Sequence, residues 1–584
     1  QAQCVFASDT GTLFVGTAQR SLQHSPLFQH RFKTRFIAGP EFPLKKTYGI
    51  QWIDYNSDGL DDLYLVGDGQ NSLFRNTGKG RMQKVNLGAI VMDNEPSRAA
   101  TWGDYTGDGY PECFVSNAEG NNSLYVNNGD GSFTKKTSGN IVEDFGTFRS
   151  TSWVDVNNDG HLDLYVTNRN GANVLYMFIP TDDGGGYHVR QRSVIDGDAD
   201  DQSYGCAWSD YDNDGDADLY VANGGEDRFY EQVAVGQFQL LGEAHIQANS
   251  ATAVGCSWAD FNNDGHMDLF VANADAPNKL YVNNGDKTFT TRHMDGTPME
   301  DGVSKGSAWG DYDNDGDVDL FVSNNGSFLF YINNGAGSFE RLPVTDFVYF
   351  ASNSLSTAWG DLENDGDLDL VVSSYDHKTM LYENRGNSNH WIKIVCEGNV
   401  SNKSGIGAKV HVKATIHGKP VWQMREISSQ SGHASQNSFV QHFGLGNASR
   451  VDSIVVIWPS GSRQVLVQQA ADQRITVIEH NDTSVQQPLH MPEVFALHPN
   501  YPNPFNSSTQ FRFDVPRPTR VSLEIFDANG RLVKRLLEDT RNAGSYTVVW
   551  DGTTDSGMAV PSGLYFCRMQ TEIFEQVRKI TLLR

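Results

Sequence analysis

Seven times in this 584-residue chain a Trp is followed, two positions on, by an acidic nine-residue loop and then a short apolar strand. The copies read WIDYNSDGLDDLYLV, WGDYTGDGYPECFV, WVDVNNDGHLDLYV, WSDYDNDGDADLYV, WADFNNDGHMDLFV, WGDYDNDGDVDLFV and WGDLENDGDLDLVV. Their leading carboxylates, Asp54, Asp104, Asp155, Asp210, Asp260, Asp311 and Asp361, are spaced by 50, 51, 55, 50, 51 and 50 residues. A unit this short cannot bury its apolar faces alone, so neighbouring units must stack to cover them.

Within each loop, oxygen-bearing side chains stand at positions 1, 3, 5 and 9, with Gly at position 6. The candidate ligand sets are Asp54, Asn56, Asp58 and Asp62; Asp104, Thr106, Asp108 and Glu112; Asp155, Asn157, Asp159 and Asp163; Asp210, Asp212, Asp214 and Asp218; Asp260, Asn262, Asp264 and Asp268; Asp311, Asp313, Asp315 and Asp319; and Asp361, Glu363, Asp365 and Asp369. Alternate positions on a tightly curled loop point inward together, and the Gly permits a backbone conformation costly to other residues. Such a cage of hard oxygens suits Ca²⁺, which takes six to eight oxygen ligands in flexible geometry, better than the strictly octahedral Mg²⁺. The expectation is one Ca²⁺ per loop, up to seven. The second site should be weakest, because Thr106 stands at position 3, Pro111 precedes position 9 and Glu112 fills it. These positions hold 24 of the 72 acidic residues. Without a cation, three or four carboxylates in each loop repel one another, so the fold is expected to be stapled by calcium.

The loop opens like an EF-hand, but an EF-hand needs a bidentate Glu at position 12 and helices on both sides. Position 12 here is Leu65, Val115, Val166, Val221, Val271, Val322 or Val372, so position 9 must supply the closing carboxylate. Beyond it the residues alternate as strands do. A second recurring segment, seen as LYVNNGDGSF from Leu124, LYVNNGDKTF from Leu280 and FYINNGAGSF from Phe330, carries hairpin signals. The third and fourth units lack it, and an insertion of Asp182, Asp183 and three Gly accounts for the 55-residue step. Each unit thus supplies about four strands, and such units close radially as propeller blades. The fold expected is all-β, a seven-bladed β-propeller over residues 1–385 followed by two small β-sandwich-like domains. Residues 12–16 (TLFVG) are expected to complete the last blade as its outer strand.

These units resemble the FG-GAP or VCBS repeats of integrin α-subunit propellers and of bacterial surface proteins. The resemblance implies Ca²⁺ at the turn between the first two strands of each blade, held by positions 1, 3, 5 and 9.

The loop-associated Trp residues are read as packing between blades rather than as a sugar-stacking ring, since one large aromatic at an identical place in each unit is what repeated burial requires. Of six cysteines, Cys206 and Cys256 stand at equivalent places in adjacent units, which leaves open a disulfide or two buried thiols. Cys4, Cys113, Cys396 and Cys567 complete the set, and no spacing matches a zinc or haem pattern.

After Gly386 the repeat gives way to HWIKIVCEG, GIGAKVHVK, FGLG and SIVVIWPSG. Over residues 386–479 this resembles the ASPIC/UnbV module that follows such propellers in cartilage acidic protein and its bacterial relatives, which implies extracellular placement. His433, near Arg425 and Glu426, forms a polar cluster there, read as a turn network rather than a catalytic site. Residues 480–492 are polar with two Pro and read as a linker. Residues 493–584 read as an Ig-like β-sandwich, with Asn529-Gly530 closing a hairpin. The run of Tyr501-Pro502-Asn503-Pro504-Phe505-Asn506, Phe526-Asp527, Ser562-Gly563-Leu564-Tyr565 and a basic end at Lys579 and Arg584 resembles a type A sorting domain of the bacterial type IX secretion system. That implies passage through this machinery to the outer surface of a Gram-negative bacterium.

The 72 acidic residues exceed the 45 Lys and Arg by 27, a field that repels phosphate backbones and anionic lipid. No nucleic-acid partner is expected. No apolar run nears the ~20 residues needed to span a bilayer, so no direct membrane insertion is expected either. The chain opens at Gln1 without an initiator Met, read as the mark of a cleaved export signal. The reading is a secreted or cell-surface calcium-binding protein, not an enzyme, acting in adhesion or extracellular assembly on a protein or glycan partner. A retained tail adds the expectation of a homo-oligomer, a head-to-tail filament or sheet. The alternative is an extracellular polysaccharide lyase or hydrolase on a calcium-stabilised propeller. Against it stand the absence of a nucleophile elbow, HExxH or phosphate loop and the use of most acidic pairs as metal ligands. An enzyme would instead need a non-repeating His, Arg or Tyr cluster over the axis.

Overall fold

The computed structural model describes residues 32–36, 46–292, 303–341, 353–480 and 495–583, less stretches of one to three residues at turns. Each of the seven units contributes four antiparallel strands; five units form separate four-stranded sheets, and the first two are joined into one larger sheet by pairing of Asp68–Gln70 with Asn94–Pro96. In the fourth these strands are Ser203–Ser209, Asp218–Asn223, Arg228–Ala234 and Gln237–Leu240. The third and fourth blades are complete although they lack the Asn-Asn-Gly hairpin. The first strand of each blade packs against the first strand of the next, and that of blade 7 against that of blade 1, so the ring closes. All six residues of Asp218–Asn223 are buried, as are those of Asp268–Asn273, because a blade's middle strands are covered on both faces by neighbouring blades.

The ring is closed by Phe32–Phe36, which pairs with Met380–Asn384 as the outer strand of blade 7. This corrects the assignment of that strand to residues 12–16, which lie outside the described residues. Both segments have strand-forming composition, and propensity cannot choose between two candidates for one edge.

The Trp residues reach across blade boundaries. Trp102 meets the Tyr64 ring of blade 1 edge-on at 5.5 Å, and Trp153 stacks on Tyr105 of blade 2 at 5.5 Å. Before the leading Asp of blade 7 only Gly fits: a Cβ at Gly360 would lie 2.4 Å from the Trp52 ring of blade 1.

Residues 1–483 form one compact unit and 484–584 a second. The segment that follows the propeller from 386 packs within this first unit. It contains a three-stranded sheet built on His390–Glu397 and a four-stranded sheet of Lys409–Ile416, Lys419–Glu426, Arg450–Ile457 and Arg463–Ala470. Its core residues Ile392, Val410, Ile454 and Phe443 are continuous with Trp153, Leu164 and Val166 of blade 3. Most of the linker expected at 480–492 lies outside the described residues.

The second unit is a sandwich. One sheet holds Ala496–Leu497, Thr509–Val515 and Gly544–Trp550; the other holds Leu532–Arg541, Thr519–Asp527, Gly563–Gln570 and Glu575–Leu582. Trp550, Phe511, Val521, Ile525, Cys567 and Ile580 fill the space between them. Gly530 takes the left-handed conformation, φ 77°, in the predicted hairpin.

Candidate functional site

Position 1 of each acidic loop follows or ends the blade's first strand, and position 9 begins its second, so both ends of the loop are pinned by the sheet. The leading carboxylate then folds the loop around itself. Asp210 accepts the N–H of Asp214 at 3.0 Å and of Gly215 at 3.1 Å; Asp54 likewise accepts Asp58 at 2.9 Å and Gly59 at 2.8 Å. Position 6 has φ between 86° and 103° in all seven loops, which explains its Gly. Position 4 is also left-handed, a point missed from sequence. It is Ser57, Gly107, Asn158, Asn213, Asn263, Asn314 or Asn364, and Asn tolerates this region better than most residues.

The position-9 carboxylates are deeply buried. One oxygen accepts an N–H from the third strand: Asn76 to Asp62 at 2.6 Å, Asn283 to Asp268 at 2.8 Å, Asn333 to Asp319 at 2.9 Å. The second oxygens of Asp62 and Asp268 are buried with no hydrogen-bond partner. Burial, reinforced by neighbouring loop carboxylates, pushes the Asp62 pKa up to about 8 and those of Asp268 and Glu112 up to about 9. Asp155 and Asp260 are pushed up to about 7, again chiefly by burial. Three sets bring carboxylate oxygens within 4.8 Å of one another: Asp104, Asp108 and Glu112; Asp210, Asp212 and Asp218; Asp311, Asp313 and Asp315. The second loop, expected to be weakest, is among them, because the longer Glu112 side chain still reaches the cluster. Converging carboxylates in the second, fourth and sixth loops, and orphaned buried oxygens in the first and fifth, fit a hard divalent cation. A buried anion without a partner costs several kcal/mol, and a cation removes that cost.

The first Asn of the recurring Asn-Asn-Gly segment is more than a hairpin residue. Its side-chain amide spans two blades, donating to the carbonyl at position 8 of its own loop and at position 2 of the loop before. Asn333 Nδ2 reaches Val318 O at 3.1 Å and Phe261 O at 2.6 Å; Asn283, Asn384, Asn127 and Asn76 repeat the pattern. In blade 3, His188 Nε2 meets Leu162 O instead, at 3.0 Å. Loops are also joined directly: Asn263 Nδ2 donates to Asp317 Oδ1 of the next loop at 2.8 Å, and Asn314 to Asp367 Oδ1 at 2.9 Å. Asn333→Ala leaves two buried carbonyls without donors and is expected to destabilise the first unit by roughly 2–4 kcal/mol. Asn334→Ala, at the exposed neighbouring position, should cost under about 1 kcal/mol. Chemical denaturation of both variants in calcium checks this; equal effects would remove the strut.

The segment after Glu426 lies inside the propeller channel, where it touches all seven blades. Ser429 accepts from Thr101 at 3.0 Å through its carbonyl and donates to Trp153 O at 2.7 Å. Gln430 accepts from the Cys206 thiol at 3.1 Å, and Gly432 bridges Cys256. Gly432 is also packed against Ser307. His433 O accepts from Ser356 at 2.6 Å, and Ser435 and Gln436 pair in parallel with Ile50 and Gln51. Asn437 accepts from Trp359 N at 3.0 Å. The cluster around His433, read as a turn network, is thus an axial plug. Burial pushes the His433 pKa down to about 3, so the ring is neutral. Cys206 and Cys256 are free buried thiols facing this plug, which settles the disulfide alternative.

The rest of the module lies on the acidic loops. Lys393 pairs with Asp361 at 2.7 Å and Lys409 with Asp210 at 2.9 Å. Arg425 is buried among Asp311, Asp260, Asp317 and Asp319. Arg474 donates to Gly59 O, and Gly444 N to Asp311 Oδ2 at 3.1 Å. These cations neutralise part of the loop charge from within the chain. Lys393→Met strands Asp361 in a buried place and is expected to cost about 3–5 kcal/mol. The loss should be larger in chelator than in calcium, read by calorimetry under both conditions.

Family models match over most of the described chain. The FG-GAP-like repeat model matches residues 54–115, 104–166, 210–271, 260–322 and 311–372, which includes all seven loops and skips only the step from the third to the fourth. The ASPIC and UnbV model matches residues 398–484. The chain carries FG-GAP-like repeats and an ASPIC and UnbV domain. The FG-GAP-like loops are thus the acidic loops described above, and the ASPIC and UnbV domain supplies the plug, Lys409, Arg425 and Arg474. A FlgD Ig-like domain model matches residues 503–573 of the second unit. No curated protein matches the chain. Among solved structures, similarity is found to an Agrocybe aegerita lectin described by its recognition of non-reducing terminal N-acetylglucosamine, at 18% identity and TM-score 0.39, covering 57% of this chain and 86% of that one. BP39L lectin from Burkholderia pseudomallei aligns at 11% identity and TM-score 0.44, covering 59% of this chain and 98% of that one. Likeness at this level carries no argument about ligands. Among the described residues, no helix is long and apolar enough to cross a membrane.

Proposed function

We propose that this chain is an extracellular, non-enzymatic propeller whose FG-GAP-like loops bind Ca²⁺, up to one per blade, and whose rigid ring serves adhesion or assembly. The observation that carries the calcium reading is the convergence of three carboxylates within 4.8 Å in each of the second, fourth and sixth loops, and the first and fifth add a buried, unpartnered oxygen each, on Asp62 and Asp268. Calcium would be held by positions 1, 3, 5 and 9 and would neutralise their charge. The chain's own Lys and Arg complete the neutralisation on the module side. Calorimetric titration of the chelated protein tests this. The expected result is at least three sites, with one lost in Asp268→Asn; zero stoichiometry would overturn the reading. The Ig-like tail supports export through the type IX system by the resemblance noted above. A reporter fused to residues 493–584 should reach the outer surface of a bacterium that has that system and stay inside a mutant lacking it. Head-to-tail assembly is tested by light scattering of the full chain in calcium, where a monodisperse monomer at high concentration removes it.

A further inference from the structure

The channel end opposite the acidic loops carries the reverse charge. Six residues before the leading Asp, at the start of the innermost strands, stand Tyr48, Arg98, Arg149, Tyr204 and Lys305 in blades 1, 2, 3, 4 and 6. In all seven blades the pairing of first and second strands is broken at this place by a register shift. A bulge turns the side chain of its extra residue out of the ladder, a device common beside binding sites. Here it is repeated around one axis.

The side chains meet. Arg98 lies over the Tyr48 ring at 3.9 Å and pairs with Asp68 at 2.8 Å. Arg169, from the end of blade 3's second strand, lies over Tyr204 at 5.4 Å. Arg149 is flanked by Arg98, Arg169, Tyr48 and Tyr204, and its buried Nε has no hydrogen-bond partner. Among the described residues, Arg149, Arg169 and Lys305 meet no carboxylate. The floor is the plug: His433 sits beside Lys305 and Arg149, with Nδ1 unpartnered. In a protein with a net charge of -27, three cations on one axis that meet no carboxylate among the described residues run against its composition.

We propose that this mouth binds an acidic sugar residue, a ring bearing a carboxylate or sulfate. Guanidinium forks match the planar geometry of such oxyanions, and the Tyr faces offer stacking surfaces for a pyranose. The plug closes the channel behind the site, so the mouth takes a chain end or branch and nothing threads through. Nucleic acid is disfavoured by the repulsive field of the rest of the molecule. The site stands at the other end of the strands from the loops, so it does not rest on the calcium reading. Failure of that reading appears in calcium stoichiometry and melting temperature, not here.

The test is calorimetric titration of the full chain in calcium with tetragalacturonate, its methyl ester, a carrageenan tetrasaccharide bearing only sulfate, and poly-glutamate. The expected result is salt-sensitive binding of the galacturonate or the carrageenan and none of the ester. Arg149→Gln should weaken that binding at least tenfold, as should Lys305→Gln, at unchanged melting temperature. The two charged sugars distinguish carboxylate from sulfate. Binding of neither, equal binding of the ester, indifference to both substitutions, or binding of poly-glutamate as tight as that of the sugars would each overturn the proposal. Release of unsaturated uronate from the galacturonate would keep the site and overturn the non-enzymatic reading instead.

Discussion

Excess calcium chelator is expected to abolish the cooperative high-temperature transition of the first unit, or to lower it by tens of degrees. At free Ca²⁺ about 100-fold above Kd, one site adds roughly 2.7 kcal/mol to the native state. If only the three loops with converging carboxylates bind, the total is about 8 kcal/mol, within the 5–15 kcal/mol that typically separates folded from unfolded domains. Magnesium should restore little of it, because a small ion that keeps its water suits these flexible cages poorly. Differential scanning calorimetry in calcium, in chelator and in chelator with excess magnesium decides the matter. An unchanged melting temperature in chelator would falsify the calcium-stapled fold.

Gly432→Val is the single substitution expected to do most damage. Gly432 has φ 63°, and a Cβ there would lie 2.1 Å from Ser307 O and 2.7 Å from Ser307 N, both backbone atoms that cannot yield. The plug then cannot seat, and the polar groups of seven innermost strands that it satisfies lose their partners. The expected loss exceeds about 4 kcal/mol. Gly461→Ala is the control: φ is 79° but nothing lies within 4 Å, so only the left-handed cost of about 1–2 kcal/mol applies. Denaturant unfolding compares the two, and hydrogen exchange in first strands such as Ser203–Ser209 shows where protection is lost. Similar losses for both variants would mean that the plug is not a structural element of the ring.

The contrast between these two experiments separates what is local in this protein from what is not. The acidic loops were legible residue by residue, including Glu112 at position 9 of the second loop. Each is a nine-residue object whose shape follows from its own carboxylates, its Gly and the strand that follows. Seven copies make such a signal unmistakable. The amides at position 4 and in the Asn-Asn-Gly segment were equally visible as letters, but their roles were not. Asn333 acts on Phe261, 72 residues away, and no local rule pairs them.

The non-repeating parts depended wholly on the tertiary structure. Nothing in SSQSGHASQNS announces that its groups will meet Thr101, Cys206, Cys256, Ser356 and Ile50, because those contacts exist only after seven blades have closed into a ring. The same closure gathers Arg149 and Arg169 of blade 3 and Lys305 of blade 6 around one axis. The sequence by itself determined the repeat, its strands and its clustered loop carboxylates, since these are set within a few residues by sterics, hydrogen bonding and charge. The edge strand at Phe32–Phe36, the plug and the cationic mouth were decided by the tertiary structure, where long-range packing selects among segments of similar local preference.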